Sequence, residues 1–529
     1  MKLALILATV TVLLALTTGT ANAAWIEPVG GPQPINANSA AASGVSTAVV
    51  GDQLYVAWAE YDGTNSEVRV SRLNAAGDDW VEVEGGPSPI NHDPDRSVTS
   101  PALANVAGVP HVAWTEYDGS NWELRVARLN GAGTDFQEIV GGASPLNVDG
   151  ASNAGAVVDV ADVGGEPWVA WAEYDGVNGE VRVARLNDAG SEWVEVVGGA
   201  NPVNASPTGD AGALSLAAIG GVAHVAWSES DSNGREIRVA RLNEAGTDWA
   251  EVPSSLTSPI NHSSAAFADR PVLAAMDGRP IVAWQEFDGS DYQVRVSRLN
   301  GGGTAWVEIV GGASPINHDA AESGQHPSLA VIGGVPYVAW EEHDGFYAQA
   351  RVARPNAAET EWQEVVGGPR PLAATPTSSG SDPQVTSLSG VPYVARADSD
   401  HTGSQIRVSR LEPDFVAGSA MASTNGAVLL SKVTTYGVAY PLRFEHGPGA
   451  GFGTTGATVH TVGGEQVDTV MTEIGGLNPA TQYSWRTFGW DGLRRTGLSA
   501  TRTFTTSAAP GTGPQGPAGP QGPAGPQGP

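Results

Sequence analysis

Tyr337-Val338-Ala339-Trp340-Glu341-Glu342-His343-Asp344-Gly345, then Arg351-Val352-Ala353-Arg354 and Trp362-Gln363-Glu364-Val365-Val366, is the stretch that decides the fold. The first run alternates strong β-formers with Ala, and the Asp-Gly pair that ends it tolerates the positive φ of a tight hairpin. Upstream, Ser328-Leu329-Ala330-Val331 and the turn Gly333-Gly334-Val335-Pro336 complete a unit of four short strands. The unit recurs. Trp58, Trp114, Trp171, Trp227, Trp284 and Trp340 each close a Val-Ala-Trp triplet at a spacing of 56 or 57 residues, and Val-Ala-Arg closes a seventh copy at Arg396. A side chain present in every copy is architecture, so function must be sought in the departures.

A repeat of this length made only of short strands is how a β-propeller blade reads in sequence. The expected fold class is therefore all-β, with four-stranded blades whose two faces both pack against neighbours. Six whole copies and one split copy give a seven-bladed ring. The split copy runs through Ile406-Arg407-Val408-Ser409-Arg410-Leu411 and then lacks its Trp-x-Glu strand. That strand stands at the other end of the chain, as Trp25-Ile26-Glu27-Pro28-Val29, followed by the same Gly-Gly-Pro-x-Pro-Ile-Asn tail. The N-terminal segment is thus expected to complete the last blade and lock the ring. Pro28 suits an outermost strand, which can lack an amide donor on its solvent side.

Three other segments flank the repeat. Residues 1–23 read as a signal peptide: Lys2, an apolar run from Leu3 to Leu16, and Ala21-Asn22-Ala23 as the cleavage site before Ala24. The propeller is assigned to 24–415. From about Ala420 the repeat stops, and Gly476-Leu477-Asn478-Pro479-Ala480-Thr481-Gln482-Tyr483 resembles the corner of a fibronectin type III domain, in which a Tyr begins a late strand. The resemblance implies a fibronectin type III-like β-sandwich over 420–506 that serves as spacer or binding module. Residues 507–529 form an extended tail with Gly513, Gly516, Gly519, Gly522, Gly525 and Gly528 in strict period three, the collagen-like Gly-X-Y pattern. Such a tail either trimerises the chain into a homotrimer or acts as a stiff extension.

Composition removes several function classes. No cysteine is present, which excludes disulfides, thiolate metal sites and a cysteine nucleophile. The formal net charge of −30 argues against nucleic acid as partner, because phosphate binding relies on clustered Lys and Arg. Fourteen of the basic residues are instead the paired arginines of the repeat, from Arg69/Arg72 to Arg407/Arg410. Glu60, Arg69 and Glu82 fall on successive antiparallel strands, and such cross-strand pairs contribute roughly 0.2–1 kcal/mol each. No later stretch is apolar enough to span a bilayer, so a secreted, extracellular or surface-associated protein is expected.

In such a ring the second-to-third and fourth-to-first strand connections share one face. That face carries the Asp turns (Asp62, Asp118, Asp175, Asp231, Asp288, Asp344, Asp400) and the most divergent loops. A regular frame with variable loops is how a scaffold presents a ligand site. Trp122, Tyr292, Phe346 and Tyr347 are the candidate ligand-binding residues there: flat rings that stack on sugars or anchor a protein, or else cover neighbouring strands. His92, His262 and His318 recur in separate blades, too far around the axis to share one metal, and no Asp-x-Asp-x-Asp-Gly calcium loop occurs. No metal, other cofactor or catalytic residue is assigned. Asp159 and Asp162 are the acids peculiar to one inner strand, and they make a poor pair for glycosidic cleavage. The expected function is an exported, non-catalytic binding or adhesion protein that presents a propeller face to an extracellular glycan or protein. The alternative is a carbohydrate-active enzyme, of glycoside hydrolase or lyase type, working at the channel.

Overall fold

A computed structural model describes residues 25–27, 35–36 and most of 41–509, with short breaks, plus Gly519, Gly522 and Gly525. The breaks fall mainly in connections between sheets, such as 84–89, 140–145, 254–259 and 311–315. The signal-peptide assignment, Pro28 and Val29, and nearly all of the Gly-X-Y tail lie outside the described residues. Every regular element among the described residues is a strand, and no helix there is long and apolar enough to cross a membrane.

The repeat forms a β-propeller. Seven sheets of four strands occur among the described residues, each a meander of antiparallel neighbours. The sixth is typical: Gly324–Ile332, Val335–His343, Ala348–Pro355 and Trp362–Glu364, in that spatial order. First strands of successive sheets lie side by side around the axis, and that of the seventh sheet, Ser379–Leu388, packs against that of the first, Ala42–Val50. The seventh sheet takes its outermost strand from the N-terminus: Trp25 pairs with Leu411 and Ile26 with Arg410. Glu27 then meets Arg407 at 3.0 Å, as Glu82 meets Arg69 in the first sheet.

Hydrophobic burial holds the ring at its seams. Each of the seven core clusters among the described residues joins two adjacent sheets of the ring, for example Val163 and Val183 with Leu216 and Trp227 between the third and fourth. The six triplet tryptophans are at most 1% exposed. A buried indole needs an acceptor for its N–H, and the Glu two residues on supplies one, as Trp58 to Glu60 at 2.8 Å and Trp340 to Glu342 at 2.8 Å. In the seventh copy Arg396 takes the indole's place and donates instead to Asp398 at 2.8 Å and to Ser409 at 2.8 Å. The fourth-strand tryptophans tie sheets together: Trp249 donates to the Val196 carbonyl at 3.4 Å, and Trp25 to the Val365 carbonyl at 3.0 Å.

The recurring charges differ in one respect from the expected trio. Arg69 pairs with Glu82 across the strands and with Glu67 on its own strand, while Glu60 is taken by the indole of Trp58. Glu67 is buried, which pushes its pKa up against the pull of Arg69. The motif is structural, with its members sorted differently.

The second all-β module begins earlier than 420. Asp414–Ala422 already pairs with Gly426–Thr434, which pairs in turn with Asp468–Gly475. A second sheet is built on Pro441–Pro448 and Gln482–Trp490. Trp485, Phe444, Tyr483 and Phe504 fill the space between the sheets, and the Tyr483 hydroxyl accepts from the Asn478 amide at 2.8 Å. The module shares its core cluster with the seam between seventh and first sheets, and the Tyr440 hydroxyl donates to the Leu411 carbonyl at 3.1 Å.

Candidate functional site

All seven first strands line one central channel, a cavity of about 490 Å³. Each is built from small and β-branched residues that can crowd the axis. Six of the seven contain a register shift near their beginning, for instance between Gln325 and Ser328 and between Ser381 and Gln384. A bulge of this kind re-aims one side chain. It lies at the channel end that also carries the second-to-third strand turns.

At that bulge, fourteen residues before the triplet Trp (or Arg396), the fifth, sixth and seventh sheets carry Arg270, His326 and Asp382. Their φ angles are 53°, 49° and 47°, the left-handed region in which bulky residues are unusual and which clusters at functional sites. The first, third and fourth sheets have Gly44, Val157 and Ala213 at this position. Three consecutive sheets therefore bring a cation, an imidazole and a carboxylate to one rim of the channel. Arg270 is exposed, while His326 and Asp382 are half-buried.

A buried carboxylate stands behind them. Glu341 follows the triplet Trp of the sixth sheet, where other sheets have Ala59, Thr115, Ala172, Ser228, Gln285 and Ala397. Its Oε2 accepts the Asp382 amide at 3.2 Å, just as Gln285 accepts the His326 amide at 3.0 Å. His326 Nδ1 lies 2.9 Å from Glu341 Oε1 and 3.3 Å from Asp382 Oδ1, yet is aligned as hydrogen-bond donor to neither. Burial pushes the Glu341 pKa up, but His326 and the Asp382 amide outweigh it and hold the carboxyl below its ordinary value.

The residues singled out in the sequence fall elsewhere. Trp122 packs against its cross-strand neighbour Tyr117, with ring centroids 5.5 Å apart, and Tyr292 packs likewise on Phe287 at 5.4 Å. They belong to the second and fifth sheets, so the ring does not bring them together. Phe346 is 86% exposed and Tyr347 half-buried, both in the sixth sheet's turn. His92, His262 and His318 each meet the fourth-strand Glu of the following sheet: Glu138 at 2.7 Å, Glu308 at 2.8 Å and Glu364 at 3.1 Å. The Asp62, Asp118 and Asp288 carboxylates accept turn amides, and those bonds lower their pKa.

Asp159 and Asp162 are occupied by architecture. Asp159 Oδ2 accepts the Leu216 amide at 2.7 Å and the Ser215 hydroxyl at 3.1 Å, clasping third sheet to fourth. Ser46, Ser215 and Ser328 do the same for the Leu103, Leu273 and Val385 amides. Burial raises the Asp159 pKa to about 6. Asp162 accepts the amides of Ala107 at 2.8 Å and Gly165 at 2.7 Å. The rim does leave a signal in the sequence: Arg270-Pro271, His326-Pro327 and Asp382-Pro383 are titratable x-Pro pairs at one repeat position.

No protein-family model matches the chain, and no curated protein matches it either. Among solved structures it is similar to a polysaccharide lyase of the PL25 ulvan lyase family bound to a glucuronate–sulfated rhamnose unit, at 12% identity over 73% of this chain and 94% of that one, TM-score 0.45. It is also similar to the polysaccharide lyase Uly1, at 11% identity over 72% and 91%, TM-score 0.42. A third likeness is to the Trypanosoma rangeli sialidase in complex with the inhibitor DANA, at 9% identity over 77% and 84%, TM-score 0.40.

Proposed function

We propose that this chain is an exported seven-bladed propeller that engages an anionic glycan at the channel mouth, the location of the carbohydrate-active reading, rather than on its outer turns. The supporting observation is the gathering of Arg270, His326 and Asp382 on three consecutive bulges at the rim of a channel of about 490 Å³. An exposed guanidinium recognises a carboxylate or sulfate in bidentate fashion, while imidazole and carboxylates suit sugar hydroxyls. The fibronectin type III-like module acts as a spacer fixed to the ring, and the Gly-X-Y tail adds reach or trivalency, through which weak sites gain avidity.

Binding of the full chain to neutral, uronate-bearing and sulfated oligosaccharides tests this. Anionic chains are expected to bind, with a loss of tenfold or more in Arg270→Ala. Equal binding of neutral chains, or an Arg270→Ala variant that binds as well as the parent, would refute it. Loss confined to Trp122→Ala, Tyr292→Ala or Phe346→Ala would move the site to the outer turns.

Cleavage of the bound glycan is the second reading, favoured by a buried Glu341 beside an imidazole at the channel rim. It requires new reducing ends, or an unsaturated product absorbing in the ultraviolet, that vanish in Glu341→Gln.

A further inference from the structure

We propose that His326, Glu341 and Asp382 form a divalent-cation site of the zinc or manganese class on the seam between sixth and seventh sheets. The three residues come from three strands in two sheets, yet their ligand atoms all lie within 4.8 Å of one another. An ion bound at about 2.1 Å by tetrahedral ligands holds those ligands about 3.4 Å apart. The observed separations from His326 Nδ1 are 2.9 Å to Glu341 Oε1 and 3.3 Å to Asp382 Oδ1. A cation that draws each ligand to itself fits with small side-chain adjustments.

Two further observations point the same way. His326 Nδ1 is buried without a hydrogen-bond partner, although two carboxylate oxygens stand beside it. A nitrogen that converges on oxygens without aiming an N–H at either has the disposition of a co-ligand. Glu341 is already oriented by the Asp382 amide, the kind of outer contact that fixes a metal-binding carboxylate. The residues on either side make the set specific to this seam. At the seam of the third and fourth sheets the corresponding positions are Val157, Ala172 and Ala213, which carry no ligand atom.

One nitrogen and two carboxylate oxygens are a borderline donor set, which suits zinc or manganese better than calcium, whose sites use oxygen alone. Three protein ligands also leave a coordination position, and both His326 and Asp382 border the channel. The inference does not rest on the glycan reading, because the ion is held by the free chain.

The test is equilibrium dialysis of the tag-free full chain against Zn²⁺, with Ca²⁺ in a parallel arm. One Zn²⁺ per chain is expected, lost in His326→Ala and in Asp382→Asn and kept in His92→Ala, with Ca²⁺ failing to compete at a hundredfold excess. Co²⁺ provides a readout on the unmodified protein: visible absorption bands that Zn²⁺ abolishes. Absence of a stoichiometric ion and of Co²⁺ bands would overturn the site. So would binding that survives both substitutions, or Ca²⁺ that displaces Zn²⁺.

Discussion

Two seams of the same ring use acids in opposite ways. Between third and fourth sheets, Asp159 sits at the clasp position, with Oδ2 on the Leu216 amide and Ser215 and Oδ1 on the Val160 amide. Between sixth and seventh, Ser328 does the clasping and the charges stand at the bulge and behind it, as His326, Asp382 and Glu341. Both seams have a tryptophan at the outer rim, Trp249 and Trp25. The difference teaches that an acid unique to one blade is not thereby functional. What matters is whether its oxygens are consumed by the frame.

The largest effect is expected from the rim, where the two seams differ in chain connectivity. Trp25→Ala should cost about 3–5 kcal/mol, as large aromatic deletions in cores do. It also takes away the side chain that anchors the two-residue closing strand, so denaturant unfolding should show lower cooperativity than for Trp249→Ala. Equal midpoints and slopes for the two variants would erase the distinction.

Next comes pH. Asp159 has a folded pKa raised from an ordinary 3.8 to about 6. Between those values the folded state holds the proton more tightly than the unfolded chain, so this group's contribution falls as pH rises from 4 to 6 and is flat above. At 1.36 kcal/mol per pH unit the loss is about 3 kcal/mol. Asp159→Ser, which copies the other clasps, should keep the fold and remove that decline in a wild-type-minus-variant stability curve. A curve unchanged by the substitution would contradict the burial argument.

Glu341 should show the reverse sign. Its folded pKa is lowered, so its stabilisation is present above pH 4.5 and lost as pH falls through the folded value. Glu341→Gln should therefore be less stable than the parent at neutral pH and converge with it in acid, by a smaller amount than the Asp159 effect. Thermal melts from pH 3 to 7 would read both residues in one series. The smallest change belongs to Asp162→Asn, which keeps one oxygen for one of the Ala107 and Gly165 amides, turns an NH2 toward the other, and should cost about 1 kcal/mol at this exposed turn. A larger loss would mean that the charge itself matters.

Much of the frame was legible because it is periodic. The Val-Ala-Trp spacing carries the strands, and the orphan Trp25-Ile26-Glu27 carries the closure, since a blade lacking its outer strand must find one. The rim was not legible in the same way. Glu341 is the one acid directly after a triplet Trp, but its linear position does not show that it reaches the amide of the next sheet's bulge, as Gln285 does. Conversely Asp159 looked exceptional, because Ser46, Ser215 and Ser328 share its role without sharing its charge. Asp414–Ala422 follows Leu411 after only Glu412 and Pro413, a connection no longer than a turn within a sheet, so the sequence does not set the strand apart from the ring.

The sequence by itself determined a closed ring of short strands, because a strand's period and a repeat's length are local properties written in every copy. Tertiary structure alone decided which charges meet. His326, Glu341 and Asp382 converge because a β-bulge turns two of them inward and the seam presses one sheet's second strand against the next sheet's first, distances that no linear spacing encodes.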